Sequence, residues 1–246
     1  MKNLLKANPW TDREVEAHWD RVASIYITEN QRVKDTHDQR FRRMLELLPE
    51  LPQGAEILNI TSRDGEASVY IEKARPGVKV INAEISAGLM QEAARVWPGI
   101  RQVKIETYSR LPFANNSFDA IVSLETLEHA AEPINFLKEL YRVARPSATL
   151  VLSCPPATSE WPYRIYTALV GGHGEGPHRF LSSKQVKKMM EVSGWKLLHH
   201  EGTLLVPVGP PALKRWGEKF IQKFQHTFIS ELGIRQFYVA QKENAD

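Results

Sequence analysis

The chain has 246 residues, 42% hydrophobic and 25% charged, with 32 basic against 29 acidic residues and a formal charge of +3. That length and balance suit a core that needs no metal or disulfide staple, and the charge is too small by itself to point to nucleic acid. The one cysteine, Cys154, excludes an internal disulfide, argues against a cysteine-based zinc site and fits a reducing, cytoplasmic setting; no apolar run has signal-peptide character or approaches the roughly 20 residues of a membrane span.

In chain order, Thr11 to Thr28 reads as a helix. Thr11 with Glu14 three residues on makes a capping box, and Val15, Trp19, Val22 and Tyr26 recur at helical spacing. A second helix is expected from about Val33 to Leu48, and Pro52 and Gly54 close this unit, so that residues 1–54 form an N-terminal helical segment. Strands and helices then alternate. Strands are expected at Glu56–Ile60, Val78–Glu84, Ile100–Glu106, Phe118–Leu124 and Ala148–Cys154, and helices at Gly65–Ala74, Ala87–Val96 and Glu132–Arg145. Short links between them imply βαβ units and a mostly parallel sheet, and IVSL and TLVLS have the continuous apolar character of strands buried on both faces. After Cys154 the rhythm breaks. Pro155–Leu181 reads as a long irregular segment, followed by a helix at Ser183–Ser193, a strand at Trp195–Glu201, a helix from about Ala212 to Phe228 and a last strand at Arg235–Lys242. The α/β domain is thus expected over 55–246, with insertions at 155–181 and 202–233.

Ligands of an open parallel sheet bind beyond the carboxyl ends of its strands, at the point where strand order reverses. The first strand normally leads into a glycine-rich turn, and an acid about 20 residues on takes the ribose hydroxyls of a nucleotide. Here Glu84 ends the second strand, 19 residues after Gly65, and either serves that role or is a solvated strand-end glutamate. The turn itself, ILNITSRDGEAS (Ile57–Ser68), holds a single glycine. Glu125, Glu128 and His129 follow the fourth strand; His129 is a candidate for substrate orientation or general-base work, or a structural histidine at a helix entrance.

The runs LPFANNSFDAIVSLETLEH (Leu111–His129) and KELYRVARPSATLVLSCP (Lys138–Pro155), with the strand–acid pair ending at Glu84, resemble class I S-adenosylmethionine-dependent methyltransferases of the small-molecule type related to quinone-biosynthesis C-methyltransferases. HWDRVASIY resembles the lid helix that often precedes that fold. The resemblance implies a three-layer, Rossmann-like sheet of seven strands, mostly parallel with an antiparallel last strand. It also implies S-adenosylmethionine as cofactor and a small-molecule acceptor at oxygen, nitrogen or carbon. The cofactor positions it implies are Asn59, Thr61, Arg63, Gly65, Glu84, Ile85, Thr107, Tyr108, Leu124 and Glu125. In the family an Asp usually holds the adenine amino group where Thr107 and Tyr108 stand here. Acid and first two glycines of the family's loop correspond to Asn59, Thr61 and Arg63. Two readings follow: an enzyme in which Arg63 pairs with the cofactor carboxylate, or a methyltransferase fold that has lost the cofactor and serves as a partner protein or uses the cleft for another ligand or reaction.

The 155–181 insertion lies on the substrate-facing side. Within GGHGEGPHRF, His173 and His178 are candidate bases and Arg179 a cationic clamp, while the i, i+5 histidine spacing is no specific metal pattern, so no metal is assigned. A mobile lid and an ordered surface loop are both open readings of this segment. Tyr26, Tyr163 and Tyr166 join Arg179 as candidate substrate contacts. The helix within 213–228 has Leu213, Trp216, Phe220 and Phe224 on one face, with Lys214, Arg215, Lys219 and Lys223 elsewhere; it suits a membrane surface, its own sheet or a partner subunit. Oligomerisation is open.

Overall fold

In the computed structural model, residues 7–32, 34–170, 176–207 and 209–244 are described, without the side chains of residues 32 and 166–170. The elements are α1 (Asp12–Arg32), α2 (Lys34–Leu47), β1 (Glu56–Ile60), α3 (Glu66–Ala74), β2 (Lys79–Glu84), α4 (Ala87–Val96), β3 (Gln102–Lys104), β4 (Phe118–Leu124), α5 (Pro133–Val143), β5 (Ala144–Cys154), α6 (Glu160–Val170), α7 (Ser183–Val192), β6 (Trp195–Thr203), α8 (Pro211–Lys223) and β7 (Arg235–Lys242). Seven strands form one sheet in the order β3-β2-β1-β4-β5-β7-β6. β1, β2, β3, β4 and β5 pair in parallel, and β7 runs antiparallel between β5 and β6. The expected architecture is therefore the observed one. From β1 the chain builds outward through β2 and β3, then returns to place β4 on the other side of β1. That reversal opens a crevice between the carboxyl ends of β1 and β4.

Strand alternation divides the core. Leu58, Ile60 and Ile121 face one cluster with α1, α4, α5 and α7, whereas Ile57, Val80, Val122 and Val151 face another with Phe41 and Met44 of α2 and Ile71 of α3. The N-terminal helices share these clusters. Val15, Trp19, Val22 and Tyr26 recur on one face of α1 and are all buried. The capping box forms as expected: Thr11 N donates to Glu14 Oε2 at 2.7 Å, and Glu14 N donates to Thr11 Oγ1 at 3.3 Å.

Two stretches depart from expectation. Residues 155–181 are not irregular throughout, because a 3-10 turn at Ala157–Ser159 leads into α6. Pro162 is compatible with this helix because it falls in the first turn, where a backbone N–H has no intrahelical partner to lose. α8 ends at Lys223, five residues short of Phe228, because Thr227 Oγ1 accepts from Ile229 N and starts a separate 3-10 turn, Phe228–Leu232. Its buried positions are Gly217 and Ile221, while Leu213 and Trp216 on the aromatic face stay exposed. Gly217 lets Val206 pack against the helix; a Cβ there would come within 2.8 Å of Val206 Cγ2. Among the described residues, no helix is long and apolar enough to cross a membrane.

Candidate functional site

The turn after β1 takes a glycine-like backbone path with few glycines. Thr61 (φ 46°), Arg63 (φ 54°) and Gly65 (φ 75°) all lie in the left-handed region. Glu125, directly after β4 on the facing side of the crevice, does too (φ 53°). For a non-glycine residue this conformation costs on the order of 1–2 kcal/mol. Such strain clusters at functional sites because the surrounding structure must hold it in place. At Gly65 the side chain is excluded as well, since a Cβ would sit 2.6 Å from Ile100 Cδ1.

Glu84 holds this turn. It is fully buried, its Oε2 accepts Arg63 N at 2.7 Å, and its Oε1 accepts Ile85 N and Ser86 N, each at 2.9 Å. Burial raises its carboxyl above the ordinary range, against the pull of Arg63 and the three amides. Asn59, one strand over, turns the other way: its Nδ2 donates to Asn82 Oδ1 at 2.8 Å, and Asn82 Nδ2 donates to Ser68 Oγ at 3.1 Å, tying β1 and β2 to α3 beneath the turn.

α1 covers the crevice from above. Asp12 Oδ2 accepts Thr107 Oγ1 (2.5 Å) and Tyr108 N (2.8 Å), and Asp12 Oδ1 accepts Ala131 N (3.0 Å). Asp20 Oδ1 takes Ser86 Oγ (2.7 Å) and Gly88 N (2.9 Å) at the head of α4. Between these anchors Trp19 reaches down, and the Arg63 guanidinium lies over its ring at 3.8 Å from the centroid. Arg63 is 6% exposed, and its Nη1 is buried without a hydrogen-bond partner.

Beside the Arg63–Trp19 pair is a cavity of about 230 Å³, lined on its aromatic side by Trp19, Tyr26, Tyr163 and Phe180 and elsewhere by Arg40, Arg235, His37, Glu125 and His129. His129 is 1% exposed and its Nδ1 lies 2.9 Å from Pro177 O, which makes Nδ1 the donor and leaves Nε2 as the acceptor. Burial and then Arg63 hold its pKa well below the ordinary value, so the ring is neutral. Arg235 Nε donates to Glu125 Oε1 at 3.0 Å, and Ser153 Oγ donates to the same oxygen at 2.7 Å. His37 is pushed down to about 2 by burial, with Arg40 and Arg235 acting next, so it too is neutral. A larger, open depression of about 390 Å³, lined by His199, His200, His226 and Glu231 among others, lies away from the crevice. His37, Asp38 and Glu66 place possible metal-ligand atoms within 4.8 Å of one another, but Lys34 Nζ already sits 2.8 Å from Asp38 and 3.9 Å from Glu66.

The residues singled out by sequence divide into three groups. Arg63, Glu125, His129, His178, Tyr26 and Tyr163 converge on the cavity. Thr107 and Tyr108 are tied to Asp12 of α1, Thr61, Gly65 and Glu84 belong to the turn after β1 and its anchor, and Ile85 and Tyr108 lie in the apolar core. Asn59 and Leu124 do not reach the cleft: Asn59 belongs to the network under the turn, and Leu124 packs into the core on the opposite face of the sheet, because neighbouring strand residues alternate sides. Arg179 does not line the cavity; its N donates to Glu128 O at 3.0 Å. His173 lies outside the described residues, and so does the Tyr166 side chain. Sequence reading missed Trp19, Asn30, His37, Arg40 and Arg235 as pocket residues: Trp19 was legible only as part of the apolar stripe of α1, and packing between distant segments brings the others there.

Residues 58–152 match the family described as a methyltransferase domain. The matched region runs from β1 to β5 and includes both walls of the crevice. The chain is 26% identical over 146 residues to a ubiquinone/menaquinone biosynthesis C-methyltransferase from Desulfotalea psychrophila, covering 58% of this chain and 59% of that protein. It is 30% identical over 140 residues to a demethylmenaquinone methyltransferase from Paenarthrobacter aurescens, covering 57% and 54%. The matched part thus spans less than two thirds of these curated relatives. Among solved structures, a putative methyltransferase from Haloferax volcanii, in complex with the Trm112 methyltransferase activator, superposes with a TM-score of 0.72 at 16% identity, over 94% of this chain and 99% of that one. At that identity the likeness is one of fold, and the fold is that of Rossmann-like methyltransferases.

Proposed function

We propose that this protein is an S-adenosylmethionine-dependent methyltransferase acting on a small molecule. The observation that carries the reading is the turn after β1: Thr61 and Arg63 adopt the left-handed backbone that glycines adopt in such loops, and Glu84 holds the turn from the end of β2. Retaining that path with side chains that pay a strain for it is expected where the backbone shape itself is used. The methyltransferase-domain match over 58–152 and the kinship with quinone-biosynthesis methyltransferases support the same reading.

The residues fit the cofactor in kind. Glu84 Oε2 accepts one amide and retains capacity for a ribose hydroxyl, Thr107 and Tyr108 are our candidates for the adenine end, and the Arg63 guanidinium is our candidate cation for the methionine carboxylate. When bound, the cofactor supplies an electrophilic methyl group on sulfonium sulfur. The chain's own task is then to admit it, exclude water and orient an acceptor. Entry requires α1 to lift, since Asp12 and Asp20 tie that helix across the same residues, so α1 acts as a lid. His129, neutral with Nδ1 held by Pro177, presents Nε2 as an acceptor for a proton from the substrate. Calorimetry with S-adenosylmethionine and S-adenosylhomocysteine tests the proposal; no heat at about millimolar cofactor rejects it.

A further inference from the structure

Asn30, Arg40 and Arg63 line the same cavity, and each carries a buried nitrogen without a hydrogen-bond partner: Nδ2, Nε and Nη1. All three atoms are N–H donors, and what would satisfy them is an acceptor. Arg63 belongs to the turn assigned above to the cofactor. Asn30 and Arg40 come from α1 and α2, which have no part in that turn.

The charge at the α2 end of the cavity is positive. Arg235 is matched by Glu125, at 3.0 Å, but Arg40 has no carboxylate within ion-pair distance among the described residues. Tyr26 has the largest favourable effect on Arg40, and the carboxylates that act on it from farther off are Glu125, engaged by Arg235 and Ser153, and Asp64, whose own carboxyl is raised by burial. Arg40 Nη2 is 2.5 Å from His37 Nε2, an uncharged acceptor, and 3.5 Å from Tyr26 Oη. Burial first, and Arg40 and Arg235 after it, keep the His37 ring neutral, so it offers Arg40 no charge. The other carboxylate of the lining, Glu128, stands next to His129, after β4. An unmatched guanidinium in a partly closed cavity is costly until an anion joins it, and a planar fork of N–H donors suits carboxylate or phosphate oxygens.

The remaining walls set the body of the ligand. Trp19, Tyr26, Tyr163 and Phe180 are aromatic, and about 230 Å³ admits a molecule of roughly one ring. From this we infer that the methyl acceptor is a small aromatic acid whose carboxylate or phosphate is held by Arg40 and Asn30. The inference rests on the cavity being the acceptor pocket of the proposed enzyme.

The test uses the full chain without cofactor, titrated by calorimetry with benzoate, phenyl phosphate and benzamide, the last a neutral planar match for benzoate. At least one acid should bind about tenfold or more tighter than benzamide. Arg40→Met should remove that preference, Asn30→Ala should reduce it, and Lys219→Met, on exposed α8, should leave it unchanged. Benzoate against phenyl phosphate separates a carboxylate seat from a phosphate seat. Equal affinity for acid and amide, no binding of either acid at about 10 mM, or an acid preference that persists in Arg40→Met overturns the inference. If Arg40→Met does not fold, the wild-type comparison and Asn30→Ala decide. S-adenosylmethionine binding, measured separately, distinguishes the two failures: an acid preference without cofactor binding removes the methyltransferase reading, and cofactor binding without an acid preference removes only the substrate class.

Discussion

Replacing Glu84 by glutamine changes one atom of a fully buried side chain that serves three backbone amides. In Glu84→Gln the carbonyl oxygen can continue to accept from Ile85 N and Ser86 N. The new NH₂ then faces Arg63 N, where a carboxylate oxygen accepted at 2.7 Å, so two donors confront each other. The opposite amide orientation merely moves the conflict to Ile85 and Ser86. One lost hydrogen bond to a charged acceptor is worth about 1.5–3 kcal/mol, and a buried N–H left unsatisfied costs about 1–3 kcal/mol, overlapping contributions that together suggest a loss of about 2–4 kcal/mol. That is a large part of the roughly 5–15 kcal/mol by which a domain is stable. Removing the charge offsets some of it, because burial already disfavours the ionised carboxylate. Urea unfolding followed by circular dichroism should show a lower midpoint with an unchanged slope. A loss below about 0.5 kcal/mol would mean that Glu84 does not organise the turn, and a solvated strand-end glutamate would be the better description. These three amides also bear on how cofactor binding should be probed. Glu84→Ala orphans three amides at once, so an expected loss of at least about tenfold in affinity is meaningful only at temperatures where that variant remains folded.

Arg63→Gly should leave stability within about 1 kcal/mol of wild type, because relief of left-handed strain and of an unpaired N–H opposes the lost contact with Trp19. Its affinity for S-adenosylmethionine should fall about tenfold by calorimetry if Arg63 holds the carboxylate; tighter binding would show that the side chain obstructs the pocket instead. His37 has a folded-state pKa of about 2, below its unfolded value of about 6.5, so the native state binds fewer protons and stability present above pH 6.5 is lost as the pH falls. Its share is about 3 kcal/mol by pH 4, and His37→Gln should flatten the dependence between those values in urea titrations; an unchanged slope contradicts the burial of a neutral ring. Asp12→Ala removes the acceptor of Thr107 Oγ1, Tyr108 N and Ala131 N, and should speed hydrogen exchange along α1 without affecting β4 or β5; uniform acceleration across the sheet would argue against α1 as a separately opening element.

Periodicity and turn residues were enough to locate β1, β4, α4 and β7 to the residue, because each is a strongly patterned segment whose local preference agrees with its burial. The antiparallel last strand came from the family resemblance rather than from pattern alone, and the strand order only from the structure. The helix α6 went unread within 155–181, and of the open readings of α8 the structure buries the face carrying Gly217 and Ile221 while Leu213 and Trp216 stay exposed. In the site, the residues adjacent to strand ends were legible: Arg63, Glu84, Glu125 and His129 follow directly from where β1, β2 and β4 stop. Their partners were not.

By itself, then, the sequence determined an alternating α/β chain, a turn after β1 short of glycine, and an acid at the end of β2, since these depend on near neighbours along the chain. Only the tertiary structure decided that the turn keeps a left-handed path without its glycines, that Trp19 of α1 lies against Arg63, and that Arg40 of α2 and Arg235 of β7 meet in one cavity. Those outcomes depend on packing between segments up to about two hundred residues apart, and no local propensity encodes which buried cation finds a carboxylate and which is left facing an open cavity.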